Sequence, residues 1–430
     1  MTKLLLALLA LIATPALAAA PATFAPPAWA QNASIYEVNV RQFSAKGDFA
    51  GVERQLPRLR AMGVKILWIM PIQPIGVKDR KGTLGSYYAI RDYTGINPEY
   101  GSMADFQRLV RKAHSLGMKV ILDWVANHTA WDHPWLAQHP DWYKTDDKGK
   151  IISVRFGDAP NYEYWTDVVA LDYTKPGMPE AMIDAMRFWV RDGGIDGFRC
   201  DVAGLVPVDF WVRARSELQR DKPLFMLAES DEPRMHAAFD MTYDWKLLDR
   251  LVAIAGGKEH ADDLRAYVRD GQKGFPPSAI RMNFTSNHDV NSWRWSDRET
   301  YGARFQALAA IAAVLPGMPL VYSGQESGLD KKLAFFERDP IAWKTYANAA
   351  FYRRLLTLRQ RNPALALTAT QAPAMLLDAG APDLFAVQRS RNGHSVTLVA
   401  NLSDKPLTTR RLADVPAQTL APWTFALGQR

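Results

Sequence analysis

Short apolar runs alternate with amphipathic segments along most of the chain. Residues 64–70 and 118–125 are nearly all apolar, which is typical of strands covered on both faces. Between them, residues 103–116 carry apolar side chains at helical spacing. The pattern predicts further strands at 35–43, 195–201, 224–229, 279–285 and 319–322, and further helices at 51–62, 179–191, 208–219, 301–314 and 346–360.

This repeated alternation predicts a parallel sheet with helices packed on its faces. About eight strand–helix units over roughly 330 residues favour an α/β fold in which the sheet closes into a (β/α)8 TIM barrel. A doubly wound open sheet is the alternative, but no glycine-rich phosphate-binding loop follows the first strand.

Two segments depart from the alternation. Residues 129–171 follow the third strand, are rich in Trp, Asp, His, Tyr and Pro, and predict a short inserted domain. The helical pattern ends near residue 365, and the short strand-like runs of residues 365–430 predict a C-terminal all-β sandwich domain. The predicted catalytic barrel therefore comprises residues 32–128 and 172–364.

The N-terminus has the pattern of a secretory signal peptide. Lys3 precedes an apolar run at residues 4–13, and small residues of the Ala-x-Ala type follow. This run is shorter than the ~20 residues that a membrane-spanning helix needs. We expect residues 1–20 to be a signal peptide and residues 21–31, rich in Ala and Pro, to be a linker. The mature chain would then be periplasmic or secreted, with no insertion into the membrane.

The composition excludes some classes of function. The chain has 430 residues and a formal net charge of +7, and its basic residues are spread without a long basic run. Such a spread does not predict binding to nucleic acid. Cys200 is the single cysteine, so no intramolecular disulfide can form, and we expect its side chain to be a small buried apolar group.

Residues 195–201 form a predicted strand with two charged side chains on one face. Side chains alternate along a strand, so Arg199 and Asp201 point the same way. Because Arg199 is permanently cationic, we expect Asp201 to stay ionised well below neutral pH. An ionised carboxylate at a strand end is either a nucleophile or one half of a structural ion pair.

Polar side chains collect at the predicted ends of four strands, which is where a barrel carries its active site. These ends carry Asp123, Asn127 and His128, then Arg199 and Asp201, then Glu229, and finally His288 and Asp289. Buried polar groups need partners, so we expect these side chains to face one another or a ligand. Converging carboxylates without a reactive thiol, a cofactor loop or a Ser–His pair are typical of glycosidic bond cleavage.

Such cleavage needs one ionised carboxylate and one proton donor. The pairing with Arg199 predicts Asp201 as the nucleophile. Glu229 follows an apolar run, and a desolvated carboxyl keeps its proton to higher pH, an effect that a nearby Asp289 would strengthen. Glu229 is therefore the expected proton donor, and the chemistry requires no cofactor.

The order of these residues resembles a known family. Residues 123–128, 197–201, 229 and 284–289 match four dispersed motifs of the alpha-amylase superfamily of retaining glycoside hydrolases (glycoside hydrolase family 13). The similarity covers residues 35–363. It implies a (β/α)8 barrel with a domain inserted after the third strand, and an α-glucan or maltooligosaccharide as substrate.

The resemblance also implies a role for each matching position. Asp201 would be the nucleophile, Glu229 the general acid/base, and Asp289 the transition-state stabiliser that grips sugar hydroxyls. Arg199 would orient Asp201. His128 and His288 would hydrogen-bond to the sugar bound before the scissile bond, and Tyr88 would stack under that sugar. Asp123 and Asn127 would support the site.

The chain departs from the family pattern at two places. Many members carry Lys-His soon after the nucleophile, on the leaving-group side, where this chain has Val-Ala-Gly-Leu at residues 202–205. The family's calcium site uses the asparagine of the first motif, here Asn127, and an aspartate that Ala170 replaces. Because Ca²⁺ binds several oxygen ligands, we expect the family's calcium site to be incomplete and no metal to be held there.

The leading hypothesis is a retaining hydrolase of α-1,4-linked glucans or maltooligosaccharides. The alternative is a glucanotransferase or a cyclomaltodextrinase/neopullulanase-type enzyme on the same site, which differs in how well water is excluded from the glycosyl-enzyme. A third hypothesis is a sugar-binding protein without catalysis. Its hallmark would be a missing carboxylate, and Asp201, Glu229 and Asp289 are all present.

Overall fold

Eight parallel strands close into a barrel, as the alternating pattern predicted. The computed structural model describes residues 24–157, 160–368 and 371–430. Each barrel strand pairs with the next in the chain, and the last pairs with the first. The strands are β1 (Ile35–Val38), β2 (Ile66–Ile69), β3 (Lys119–Trp124), β4 (Gly197–Cys200), β5 (Phe225–Ala228), β6 (Met241–Tyr243), β7 (Ile280–Asn283) and β8 (Met318–Tyr322).

Alternate side chains of these strands separate into an inner and an outer layer. Trp68 and Ile121 belong to the cluster that fills the barrel, whereas Phe198 and Cys200 pack outward against the helices. Gly197 is required where β4 meets β5, because a Cβ there would lie 1.9 Å from the carbonyl oxygen of Phe225. The two layers bury a large apolar area and hold the strand ends in fixed positions.

The helices cover the outside of the barrel with their apolar faces. A reciprocal capping box starts one of them: Ser102 Oγ accepts from the amide of Asp105, whose carboxylate accepts from the Ser102 amide. The α-helices of the barrel are Val40–Phe43, Phe49–Met62, Met103–Ser115, Met178–Arg191, Val208–Leu218, Trp245–Ala255, Ala261–Asp270, Asp297–Thr300, Phe305–Val314 and Ala349–Arg361.

The chain leaves the barrel after β3 to form a small excursion. Its antiparallel sheet comprises His128–Ala130, Glu163–Ala170 and Ser153–Phe156 in that spatial order. A short helix, Pro134–Gln138, follows the first of these strands. The hairpin formed by the other two strands carries Phe156 and Trp165 to the edge of the barrel opening.

An all-β domain follows the last helix, as predicted. A four-stranded antiparallel sheet and a two-stranded ribbon pack around a separate apolar cluster that includes Leu384 and Val399. The sheet contains Met375–Leu376, Leu384–Arg391, His394–Asn401 and Phe425–Gln429, and the ribbon contains Leu407–Thr408 and Thr419–Leu420.

The structure differs from the prediction at two barrel strands. The strand expected at 35–43 ends at Val38, because Asn39 accepts a hydrogen bond from the Gln42 amide and begins the helix Val40–Phe43. The barrel strand β6 escaped prediction because it is three residues long and includes the polar Thr242, so it has no period to detect.

The expected signal peptide, residues 1–20, lies outside the described residues, as do residues 21–23 of the expected linker. Residues 24–31 do not behave as a free linker. Ala30 is fully buried, and the Trp29 ring lies 5.9 Å from that of Phe225 at the start of β5, so this segment closes the N-terminal end of the barrel. Among the described residues, no helix combines the length and apolar character needed to cross a bilayer.

Candidate active site

A cleft of about 630 Å³ opens at the C-terminal ends of the barrel strands. Asp201 and Glu229 immediately follow β4 and β5, and the segment after β7 supplies His288 and Asp289. Because parallel strands end at the same edge, residues far apart in the chain meet there. The predicted site residues that line the cleft are Tyr88, His128, Asp201, Glu229, His288 and Asp289.

Arg199 lies beneath the cleft with no solvent exposure and contacts carboxylates from three strands. Its Nη1 donates to Asp123 Oδ1 and to Asp201 Oδ1, each at 2.9 Å. Its Nη2 lies 2.9 Å from Glu229 Oε1, an ionic contact without hydrogen-bond alignment. Its Nε donates to the Tyr243 hydroxyl at 3.0 Å. One guanidinium therefore gathers the ends of β3, β4 and β5.

The prediction that Arg199 keeps Asp201 ionised far below neutral pH is wrong. Burial raises the pKa of Asp201 well above its usual value, and the neighbouring Glu229 raises it further, while Arg199 lowers it. The sequence reasoning assumed one cation for one carboxylate, whereas Arg199 is shared with Asp123 and Glu229. Contact with Arg199 alone therefore does not distinguish a nucleophile from a proton donor.

Asp123 supports the cleft floor and has no solvent exposure. Besides the bond from Arg199, its Oδ2 accepts from Trp68 Nε1 at 2.9 Å and from the Tyr88 hydroxyl at 3.3 Å. Burial raises the pKa of Asp123, although Arg199 and His288 lower it. Because its oxygens are occupied by protein donors, Asp123 orients its neighbours and does not reach a ligand.

His288 carries carboxylates on both sides of its ring. Nδ1 lies 2.5 Å from Glu37 Oε1, and Nε2 lies 2.7 Å from the Tyr88 hydroxyl and 3.2 Å from Asp289 Oδ2. Burial lowers the pKa of His288, but Asp289 and Glu37 raise it, to about 9. His288 therefore lies between two carboxylates that favour its charged form. Burial also raises the pKa of Asp289, which His288 lowers.

His128 is a neutral side chain in the cleft, because burial lowers its pKa to about 3. The Asn127 amide nitrogen lies 3.2 Å from His128 Nδ1, and Asn127 itself does not line the cleft. A calcium site of the family type does not fit here, because the amide faces His128 and Ala170 has no side-chain oxygen. Within residues 24–157, 160–368 and 371–430, no group of three His, Cys, Asp or Glu side chains is arranged to hold a metal.

A strained residue holds Glu229. The amide of Val202 donates to Glu229 Oε2 at 2.7 Å, and Val202 adopts φ 35°. A β-branched residue in the left-handed region is an outlier, and such strain persists where the surrounding structure imposes it. The neighbouring Gly204 also departs from the family pattern, and the Glu232 carboxylate lies 2.9 Å from where its Cβ would be.

Several cleft residues were not predicted from the sequence. Two aromatic pairs form opposite walls: Phe156 stacks on Trp165 with centroids 5.2 Å apart, and Trp293, which is 53% exposed, lies 4.8 Å from Phe335. Phe156 and Trp165 lie on the two strands of the hairpin, Trp293 lies in the π-helix Val290–Arg294 and Phe335 lies in a loop, so no single period marks the set. Glu37 did have a signal, because it is the one charged residue in the strand Ile35–Val38.

The arrangement suits chemistry that needs both a charged and a neutral carboxyl. The carboxyls of Asp123, Asp201, Glu229 and Asp289, with that of Glu37, surround Arg199 and His288. Full ionisation would leave excess negative charge in a buried site, so some of these groups retain protons. Asp201 and Glu229 face the same cleft and share one guanidinium.

Comparison with known proteins gives matches along most of the chain. The family model for the alpha amylase catalytic domain matches residues 28–249. The alpha-amylase MalA of Haloarcula japonica is 29% identical over 89% of this chain, which spans 57% of the length of MalA. The trehalose synthase of Thermus thermophilus is 28% identical over 76% of this chain and 42% of its own length. The crystal structure of an alpha-amylase from Lactobacillus plantarum superposes with a TM-score of 0.83 at 30% identity, covering 94% of this chain and 99% of that one.

Arg199→Met removes the shared cation but keeps a long side chain in the barrel. We expect the free energy of unfolding to fall by about 3–5 kcal/mol at pH 7.5, the usual cost of leaving buried charges unpaired. The pKa values of Asp123 and Asp201 are raised, so both take up protons as the pH falls, and the loss should be smaller at pH 5. Urea unfolding at both pH values measures the difference.

The control is Arg213→Met, because Arg213 forms exposed ion pairs on the helix surface and should contribute little at either pH. An equal loss for Arg199→Met at pH 5 and pH 7.5 would contradict a role in neutralising carboxylates.

Proposed function

This chain belongs to the alpha-amylase family, and on that premise we propose that it is a retaining glycoside hydrolase of α-1,4-linked glucans or maltooligosaccharides. The observation that carries the proposal is the placement of Asp201 and Glu229 on one buried guanidinium, facing one cleft. Retaining enzymes hold their two carboxyls ~5–5.5 Å apart, and a shared guanidinium favours such a short separation.

The proposed reaction has two displacement steps. The Asp201 carboxylate attacks the anomeric carbon while Glu229 gives its proton to the departing glycosidic oxygen, which leaves a covalent glycosyl-enzyme. Glu229, now ionised, then takes a proton from a water molecule that attacks the same carbon and releases Asp201. Each step starts with one of the two carboxyls charged and the other neutral.

Each of the two carboxyls accepts one aligned hydrogen bond, Asp201 from Arg199 and Glu229 from the Val202 amide. Asp201 Oδ1 accepts an aligned bond from Arg199, whereas the contact of Glu229 with Arg199 lacks this alignment. Repulsion from Glu229 is the charge effect that most raises the pKa of Asp201. The proposed double displacement requires Glu229 to carry the proton when Asp201 is ionised.

The cleft supports a sugar-chain substrate. Its walls are aromatic, formed by Phe156 and Trp165 on one side and Trp293 and Phe335 on the other. Aromatic faces pack against the apolar faces of pyranose rings, while the polar floor offers Tyr88 and the catalytic carboxyls to hydroxyl groups. Relatives named as alpha-amylases support α-glucans as the substrate class.

Transfer to a second sugar is the competing reaction. The same glycosyl-enzyme serves both outcomes, and the trehalose synthase of Thermus thermophilus is among the relatives. On the side of Glu229 that a leaving group would occupy, Val202 and Gly204 provide no cationic side chain. A sugar-binding protein without catalysis is disfavoured, because all three carboxylates converge on the cleft.

We expect maltoheptaose to be converted only to shorter maltooligosaccharides, with the newly formed reducing end initially in the α configuration. Chromatography of the products and proton NMR of early time points measure both properties. Products longer than maltoheptaose would favour the glucanotransferase. Release of the β anomer would contradict the double displacement.

Asp201→Asn removes the nucleophile and keeps its size. We expect kcat on maltoheptaose to fall by about 10⁴-fold or more, with the fold intact by circular dichroism. The matched control is Asp184→Asn, an exposed carboxylate on the helix Met178–Arg191, which should retain wild-type activity. Near-normal turnover by Asp201→Asn would refute its assignment.

We also propose that the fold and the activity need no calcium, because Ala170 stands where the family carries an aspartate ligand and Asn127 alone does not make a calcium site. Dialysis against EDTA should leave Tm and maltoheptaose cleavage unchanged. A lower Tm that added Ca²⁺ restores would contradict the proposal.

Export to the periplasm or the medium is a further proposal, supported by Lys3 and the apolar run at residues 4–13. Intact mass measurement of the exported protein should place its first residue between Ala19 and Pro21. Retention of residues 1–20 on the active protein would contradict cleavage.

A further inference from the structure

Glu37 is a buried carboxylate that the proposed reaction steps do not use. It lies on β1 inside the barrel with no solvent exposure. Its Oε1 lies 2.5 Å from His288 Nδ1, and within the part of the chain that the structure describes its Oε2 has no hydrogen-bond partner. Burying a carboxylate is costly, so a residue of this kind is retained where its charge acts on something.

The contacts of His288 favour hydrogens on both ring nitrogens. Nδ1 faces Glu37, which accepts when it is ionised; burial raises the pKa of Glu37, and His288 lowers it. Nε2 faces Asp289 Oδ2 at 3.2 Å, and a lone pair there would repel that carboxylate. With a hydrogen on Nε2, the ring also donates to the Tyr88 hydroxyl, which is then free to donate to Asp123. The ring is held edge-on against Trp68, with centroids 5.8 Å apart.

We propose that Glu37 is a positioning residue that holds His288 as a cation, with its Nε2–H turned toward Asp289 and the cleft. This inference rests on the proposed hydrolase function for its consequence, which is a fixed positive charge beside the reacting sugar. That charge offsets the carboxylates beside it and favours the ionised form of Asp289 in a buried site. A neutral His288 would leave Arg199, with Arg294 at the cleft, to offset this carboxylate group.

Other titratable groups surround the pair and set the background against which Glu37 acts. They are Tyr88 in the loop after β2, Asp123 on β3, Arg199 on β4, Tyr243 on β6, Asp289 beside the ring, Arg294 after β7 and Tyr322 on β8. Arg199 opposes a charge on His288, and Asp289 favours it. Glu37→Gln leaves all of these in place, keeps the shape of the side chain and removes one negative charge.

The test compares the wild type, Glu37→Gln and Glu326→Gln. Glu326 is a matched control, because it is a fully buried glutamate that pairs with Tyr36 and Arg58 and makes no contact with His288. Profiles of kcat/KM on maltoheptaose from pH 5 to pH 10 show where the alkaline limb lies. Loss of Glu37 should move that limb on the order of one to two pH units lower, and Glu326→Gln should leave it in place. A limb for Glu37→Gln that superposes on the wild type overturns the proposal.

A second readout needs no substrate. The chain has eight histidines, so ¹⁵N NMR of histidine-labelled protein can assign the His288 ring as the signal absent from His288→Asn. We expect an imidazolium signal at pH 7.5 in the wild type and a neutral ring at pH 8 in Glu37→Gln. A neutral His288 in the wild type at pH 7 overturns the proposal, even if Glu37→Gln does not fold. A charged ring in a protein without glucan cleavage would overturn the proposed function alone.

Discussion

The site depends on one interaction, the burial of the Arg199 guanidinium beneath Asp123, Asp201 and Glu229. These carboxylates follow or end three neighbouring strands, and without a cation between them their mutual repulsion in a buried site would separate the strand ends. Only a planar group with several fixed donors can reach all three carboxylates together and still contact Tyr243. The geometry of the cleft floor therefore rests on a single side chain that has no solvent exposure.

The remaining charges follow from the same constraint. One cation is too few for the carboxyls gathered at the rim, and His288, held between Glu37 and Asp289, is placed to supply a second. Burial raises the pKa values of Asp123, Asp201 and Asp289, because removing an ionised carboxylate from water costs free energy. The apolar layers on both faces of the barrel offset that cost. A rigid scaffold is what allows such a site to persist, because its donors cannot relax toward other partners.

Sequence reasoning located the rim residues well, since polar residues that end apolar strands stand out against the pattern. It placed Asp201, Glu229 and Asp289 at one opening, where the structure brings them together. It failed on charge, because it gave Arg199 a single partner and so assigned Asp201 a low pKa. It missed Glu37 although that charge interrupts an apolar strand. It also missed the aromatic pair Trp293 and Phe335, because one lies in a five-residue π-helix and the other in a loop, which are too short or too irregular to show a period.

The sequence by itself determined the barrel, the C-terminal β domain and the identity of the rim residues, because strand period, helix period and the position of a charge at the end of an apolar run are local properties. Tertiary structure alone decided how many carboxylates share Arg199, the charge of His288 and the shape of the cleft. Those properties are set by distances between residues such as Glu37 and His288, which are 251 positions apart in the chain and 2.5 Å apart in space. Electrostatic energy depends on that spatial distance and on burial, and neither is encoded in any short stretch of sequence.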